Sequence, residues 1–295
     1  MVILRKRQLG KQTYYYLEHT IRRNGRVEKR EKYLGKSIPK NIETLKKEFL
    51  YELYKERWHS TLNKIKQGFA KSYRQMPPSA KKEEMNKFAI HFTYDTQRIE
   101  GSTLSLRETA NLLERGITPE AKPIRDVKEA EAHKAVFDEM LITKKDISLN
   151  LVLYWHKKLF QTTKPDIAGK IRKYQIVISS SKFIPPSPVE VDPSLNDFFK
   201  WYNQNKTKMH PVELAALTHL KFVTIHPFGD GNGRISRLLM NFVLNKNNYP
   251  LLNIHYEGRS SYYTALERSQ IKQIDFIFVQ WFIKRYIKER GAYLK

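Results

Sequence analysis

The chain has 295 residues, 54 Lys and Arg against 30 Asp and Glu, a formal net charge of +24 and no cysteine. That length suffices for one large or two modest cores, and the missing thiols exclude disulfides and thiolate metal sites. No apolar run is long enough to span a bilayer, and the start (Met1-Val2-Ile3-Leu4-Arg5-Lys6-Arg7) lacks a long apolar core, so a soluble, cytoplasmic protein without membrane contact is expected.

Residues 1–36 read as a small β unit. Thr13 to Ile21 is rich in β-formers, Asn24-Gly25 is a hairpin turn signal, and Val27 to Leu34 can return alongside before Gly35. Residues 41–75 read as a long charged amphipathic helix through Leu45, Phe49, Leu53, Leu62 and Ile65, and Met76-Pro77-Pro78 marks a break. The first 75 residues hold 20 Lys and Arg against 7 Asp and Glu, a net of +13 from a quarter of the length. Such a surface attracts polyanions, so nucleic acid is a candidate partner of residues 1–75. From about 80 onward the periodicity is helical, with segments near 82–100, 105–115, 125–141, 148–160, 192–204, 211–225, 234–246, 260–269 and 274–290. Between them, Gln175 to Ile178 reads as a strand and Lys182 to Ile184 as its return, which Pro185-Pro186 then stops. The expected fold is mainly α, a helical bundle interrupted by one β-hairpin and preceded by the small β unit.

Chemistry concentrates in His226-Pro227-Phe228-Gly229-Asp230-Gly231-Asn232-Gly233-Arg234-Ile235-Ser236-Arg237, between two segments that read as helices. Three glycines feeding a helix N-terminus free backbone N–H groups to face an anion, and the helix end adds partial positive charge. Arg234 and Arg237 lie three apart, on one side of that helix, and suit two-pronged bonds to phosphate oxygens. Asp230 is the hard oxygen donor that a Mg²⁺ bridging phosphates takes. Asn232 can donate to a phosphate, and His226 is the side chain able to accept a proton near neutral pH. Phe228 carries no polar chemistry and reads as an anchor in the core.

The run resembles the Fic signature, HPFx[DE]GNGRxxR, at every defined position, and the resemblance extends over roughly residues 80 to 290. It implies a Fic-type helical bundle, and a protein adenylyltransferase that moves AMP from ATP, with Mg²⁺, onto a Ser, Thr or Tyr hydroxyl of a target protein. His226 would be the base, Asp230 the metal ligand, and Gly231, Asn232, Gly233, Arg234 and Arg237 the phosphate seat. Upstream, Thr96-Gln97-Arg98-Ile99-Glu100-Gly101 resembles the family's inhibitory motif, [ST]xxxE[GN]. Thr96 and Glu100 share a helix face, Gly101 suits that helix's end, and Ser105 with Glu108 fits a capping box for the next. The resemblance implies that Glu100, ending an inhibitory helix over about 85–100, competes with ATP for Arg237. Some relatives use the same glutamate to remove AMP. The 175–184 hairpin corresponds to the family's flap, with Ile176, Val177, Ile178, Lys182 and Phe183 adding a target strand. Tyr262, Tyr263 and Leu266 resemble the helix that faces adenine, although a core role is the commoner fate of such spacing.

The expected division is therefore 1–75, a basic β unit with a linker helix, and 76–295, the Fic portion with its loop at 226–237. A Doc-like kinase or a transferase of another nucleotide is the enzymatic rival. A basic nucleic-acid-binding regulator with a vestigial loop is the non-enzymatic one. Homodimerisation that locks or frees the Glu100 helix is compatible with the sequence.

Overall fold

A computed structural model describes residues 2–23, 26–179 and 181–295. The chain divides into two compact units, Met1–Asn63 and Lys64–Lys295.

In the first unit an antiparallel sheet of order β1-β2-β3 is formed by β1 (Ile3–Leu9), β2 (Gln12–Arg23) and β3 (Arg26–Gly35). The expected hairpin is present as strands, with β1 as a third member whose alternation the run of cations hides. The Asn24-Gly25 turn lies outside the described residues. Alternation along β2 buries Leu17 and His19 on one face, where His19 meets Tyr54 of helix α1 (Ile42–Gln75). Tyr14 and Tyr16 stand on the other face, grouped with Tyr33 of β3 at ring separations of 6.2 and 5.2 Å. The boundary between the units falls inside α1.

The second unit is helical. After the end of α1 come α2 (Pro78–Ile99), α3 (Leu106–Arg115), α4 (Ile124–Ile142), α5 (Leu149–Phe160), α6 (Pro188–Asn205), α7 (Pro211–Ile225), α8 (Asn232–Lys246), α9 (Arg259–Lys272) and α10 (Asp275–Arg290). Every helical segment expected from periodicity has its counterpart. The centre is α8, all but wholly buried from Asn232 to Leu244, with α7 beside it and α2, α4 and α5 also in contact with it. Its apolar side chains (Ile235, Leu238, Leu239, Met240, Phe242, Val243 and Leu244) are enclosed, and the polar ones buried with them, such as Arg234, Arg237 and Asn241, are hydrogen-bonded within the protein. That burial holds the helix's first turn, and the loop before it, in a fixed frame. Glu100 closes α2, Gly101 turns the chain at φ 94°, and the Ser105–Glu108 capping box opens α3. No described helix is long and apolar enough to cross a membrane.

One expectation is corrected. Residues 175–184 form no strand ladder; among the described residues the only sheet is β1-β2-β3. The described residues of the segment are irregular, and Ser181 N–H donates to Ile178 O at 3.2 Å. Side chains take the groups that cross-strand partners would have used: Glu267 accepts from Lys182 N at 2.6 Å, and Gln175 Nε2 donates to Pro185 O at 3.2 Å. Two short arms ended by Pro185-Pro186 offer too few backbone pairs to outweigh these local bonds.

Candidate active site

The loop between α7 and α8 starts at His226, which leaves the helix in the left-handed region at φ 53°. Its Nδ1 lies 3.0 Å from Val223 O. A carbonyl only accepts, so Nδ1 carries the proton and Nε2 keeps its lone pair. Burial lowers the ring's pKa, the opposing pull of Val223 O notwithstanding, so the imidazole is neutral at pH 7. The ring is thus in the protonation state a general base requires.

Phe228 is buried and stacks on His156 with centroids 3.7 Å apart. His156 Nδ1 accepts from Gly169 N at 2.9 Å, so its Nε2 is the donor to Asp230 O at 3.0 Å. Asn232 closes the loop on itself: Oδ1 accepts from Phe228 N at 2.9 Å and Nδ2 donates to Phe228 O at 2.8 Å. Both halves of that amide are occupied, which leaves the backbone N–H as the group it offers an anion. Gly231, at φ 82°, has no room for a side chain, since a Cβ would sit 2.4 Å from the Phe160 ring.

The two arginines behave differently. Arg234 is turned inward, with Nη1 on Glu129 and on Gln97 Oε1 (3.2 Å) and Nη2 on Asp230 Oδ1 at 3.0 Å. Its forked donors are largely spent within the protein. Asp230 also binds Lys164 and accepts from Gly231 N at 2.5 Å. Burial works to raise the pKa of Asp230, but Arg234 and Lys164 outweigh it and hold the group well below the carboxylate range. Arg237 is 1% exposed and reaches α2. Its Nε donates to Thr96 Oγ1 at 3.3 Å, and Nη2 donates to Glu100 Oε1 at 2.5 Å. Burial would lower the pKa of Arg237; the Glu100 charge more than offsets it. Glu100 Oε1 also lies over Gly233, where a Cβ would come within 2.2 Å of it. No side chain caps α8, so a carboxylate from α2 sits at the uncapped N-terminus of the buried helix, where an anion is favoured.

Residues 146–244 match the model of the Fic/DOC family. The protein adenylyltransferase fic-1 of Caenorhabditis briggsae is 37% identical over 181 residues, 59% of this chain and 35% of that protein; its Caenorhabditis elegans counterpart is 36% identical over the same shares. Residues 146–244 thus carry the Fic/DOC match, and the chain is similar to Fic proteins in sequence and fold. It spans about a third of the length of these curated relatives. Among solved structures, a Fic domain-containing signaling protein from Bacteroides thetaiotaomicron superposes with a TM-score of 0.72 at 27% identity, over 80% of this chain and 97% of that one. A fragment of Fic-1 from C. elegans gives 0.73 at 28%, over 87% and 78%.

Of the residues read as a flap, Val177, 81% exposed, Ile184 and Lys182 are exposed, and Ile176, Ile178 and Phe183 are half-buried. Of the three residues read as facing adenine, Tyr262 and Leu266 are core. They are i and i+4 on α9, and Tyr262 shares a 2.9 Å hydrogen bond with buried His219. Tyr263, a third of a turn away, keeps an exposed ring and donates to Ile99 O at 3.1 Å. It alone of the three could meet a base.

Lys164, Glu129, Gln97 and Arg172 were not marked by the sequence. Each lies outside the contiguous motif, and its partners become visible only when α2, α4 and the loop after α5 meet. Arg172 is the most informative. It is 3% exposed, has no carboxylate partner among the described residues, and donates to His226 O (Nε, 2.7 Å), Tyr174 O (Nη1, 3.0 Å) and Pro186 O (Nη2, 2.6 Å). One guanidinium thus ties both ends of the 175–184 segment to the carbonyl of His226. Lysine cannot reproduce a three-way planar fork. On the activity proposed below, Arg172→Lys is expected to lower the transfer rate about 10- to 50-fold by letting His226 and the 175–184 segment drift, since small misplacements are costly. The KM for ATP should move less than about threefold. Steady-state kinetics check this; an unchanged rate, or a loss confined to KM, rejects the positioning role.

Proposed function

We propose that this chain is a protein adenylyltransferase that transfers AMP from ATP to a Ser, Thr or Tyr hydroxyl of a target protein, and that Glu100 holds it inactive. The observation that carries this reading is the Glu100 carboxylate on Arg237, 2.5 Å away, over Gly233 at the uncapped start of α8. That seat has the charge and donors for a nucleotide's outer phosphates, and an internal anion holds it. The adenylyltransferase names of the relatives at 36–37% identity support the same activity.

With Glu100 displaced, Arg237 and the amides of Gly231, Asn232 and Gly233 would hold the phosphates. Arg234, committed to Glu129 and Asp230, would hold the loop's shape. The target hydroxyl gives its proton to His226 Nε2 as its oxygen bonds to the α-phosphorus. The bond from that phosphorus to the bridging oxygen breaks, and pyrophosphate leaves with the electron pair. Positioning and charge supply most of the catalysis in such transfers. The residues fit Mg²⁺ through Asp230, an always-ionised hard oxygen donor of the kind that ion takes when phosphate oxygens and water complete its shell. Lys164 would have to release that carboxylate, and the bound ion would neutralise phosphate charge. Glu100 could also orient water for removal of AMP. Residues 76–295 would carry this chemistry and a target strand would add to the flap segment, whose side chains Val177 and Ile184 are exposed.

The test is labelling of the chain itself in the Glu100→Gly background with ATP labelled at the α or the γ phosphorus. Label should enter from α only, and His226→Ala should reduce it at least 10²-fold, the usual scale for a general base. Entry from γ would replace this reading by the Doc-like kinase, and entry from UTP alone by another nucleotidyl transfer. A second reading is favoured by the open face of the N-terminal sheet, where Tyr14, Tyr16 and Tyr33 cluster with Arg7 4.7 Å over Tyr16. Aromatic platforms interleaved with cations suit single-stranded nucleic acid. It would make residues 1–75 a nucleic-acid-binding accessory.

A further inference from the structure

On the far part of α2 from Glu100 lies a cavity of about 520 Å³. All of its lining falls after Lys64, in the second unit, and none belongs to the catalytic loop. Its size is that of a small-molecule pocket. Its composition is one-sided. Lys66, Arg74, Lys81 and Arg290 line it against a single carboxylate, Glu84, which accepts from Tyr293 at 3.5 Å. None of the four cations forms an ion pair among the described residues, and the buried Nε of Arg290 has no hydrogen-bond partner among them. Four like charges around one cavity repel one another, and the single carboxylate of Glu84 leaves the lining with a net positive charge.

The remaining walls are aromatic. Three of the cations lie against rings: Lys66 over Tyr249 at 5.1 Å, Lys81 over Tyr73 at 5.0 Å and Arg290 over Phe88 at 5.7 Å. One side is set by a close backbone crossing. Gly68 of α1 lies so near the C-terminal turn that a Cβ would sit 2.0 Å from Tyr293 O, and Phe69 meets the Tyr293 ring edge-on at 5.3 Å. The cavity is therefore pre-formed, flat-walled and electropositive. Apolar flat walls favour a planar ring, and two guanidiniums with two ammoniums favour a multiply charged oxyanion.

We propose that this cavity is a second ligand site, for a phosphorylated aromatic molecule of mononucleotide size, separate from the Fic loop. Neither the activity proposed above nor the brake is needed for it, so its failure would leave them untouched.

The experiment is calorimetric titration of the full chain with guanosine monophosphate and, separately, with inorganic phosphate. One nucleotide is expected to bind per chain, at least tenfold more tightly than phosphate alone. Lys81→Glu and Arg74→Glu, both at partly or fully exposed side chains whose replacement removes no core contact, should each weaken binding at least tenfold, with circular dichroism unchanged. Arg237→Gln, which removes the phosphate seat of the Fic loop, should leave the affinity within about twofold. No heat of binding, affinity indifferent to the charge reversals, or binding lost in Arg237→Gln would each overturn the proposal.

Discussion

Glu100→Gly is expected to raise self-labelling from α-labelled ATP by two orders of magnitude or more over the parent chain while making the ligand-free protein less stable. Both effects come from one contact. In the parent, Arg237 is buried and spends Nη2 on Glu100, and the carboxylate covers the α8 N-terminus. A nucleotide must displace it, and a fixed donor aimed at transferring phosphate is worth about 10²–10³ in rate when restored. Removing the carboxylate also strips a buried guanidinium of its anion. Breaking a fully buried pair costs about 3–5 kcal/mol. Glu100 is a quarter exposed, so water can enter and about 1–2 kcal/mol is the appropriate scale after screening. ATP should return that loss, because a ligand bound only by the folded state stabilises it. The pair of readouts is diagnostic: labelling rises, apo Tm falls, and the ATP-induced rise in Tm grows. If labelling stays at the parental level while ATP still binds, Glu100 is not the brake.

Helices were legible because apolar residues recur at helical spacing, and where caps are strong the ends were legible too, as at Ser105 with Glu108 and at Gly101. The start of α6 at Pro188 was hidden, since a cluster of prolines reads as a break although proline suits the first turn of a helix. The loop at 226–237 was legible because its chemistry is contiguous. What was not legible is how its side chains divide their donors. Arg234 and Arg237 look equivalent in sequence; one is bound inside by Glu129 and the other by α2, and the difference comes from helices more than a hundred residues away. Asn232 looks like a phosphate donor until its amide is found bracing Phe228. The flap was misread for a related reason. Period-two patterning reports extended backbone, and whether that backbone pairs depends on competitors such as Glu267 that lie elsewhere in the chain.

Acid should unfold this protein well above the range in which carboxylates titrate. His133, His156 and His219 are fully buried, and burial, helped by the nearby arginines, lowers their pKa values from 6.5 to about 3, about 4 and about 3. Their partners fit neutral rings: His156 accepts from Gly169 N, and His133 and His219 face the hydroxyls of Thr93 and Tyr262. In the unfolded chain each takes up a proton near pH 6.5, whereas in the folded chain it does not until the pH is two or more units lower. The unfolded state therefore binds more protons in between, and stability is lost as pH falls from 6.5 toward 4. At pH 5 each contributes about 2 kcal/mol of loss, so about 4–6 kcal/mol together, a large part of the stability of an ordinary domain. His226, also lowered by burial, adds to this. His255 opposes it, because its bond to Asp95 raises its pKa and favours the folded state in the same window. Asp230 does not interfere, since its lowered pKa costs stability only below the ordinary aspartate range. Urea unfolding between pH 7.5 and 5 should show a midpoint that falls steeply below pH 6.5, and His133→Gln should flatten the slope by about one proton's worth. A midpoint constant to pH 5 would mean that the three rings accept protons in the folded state, and their assignment as neutral would have to be abandoned.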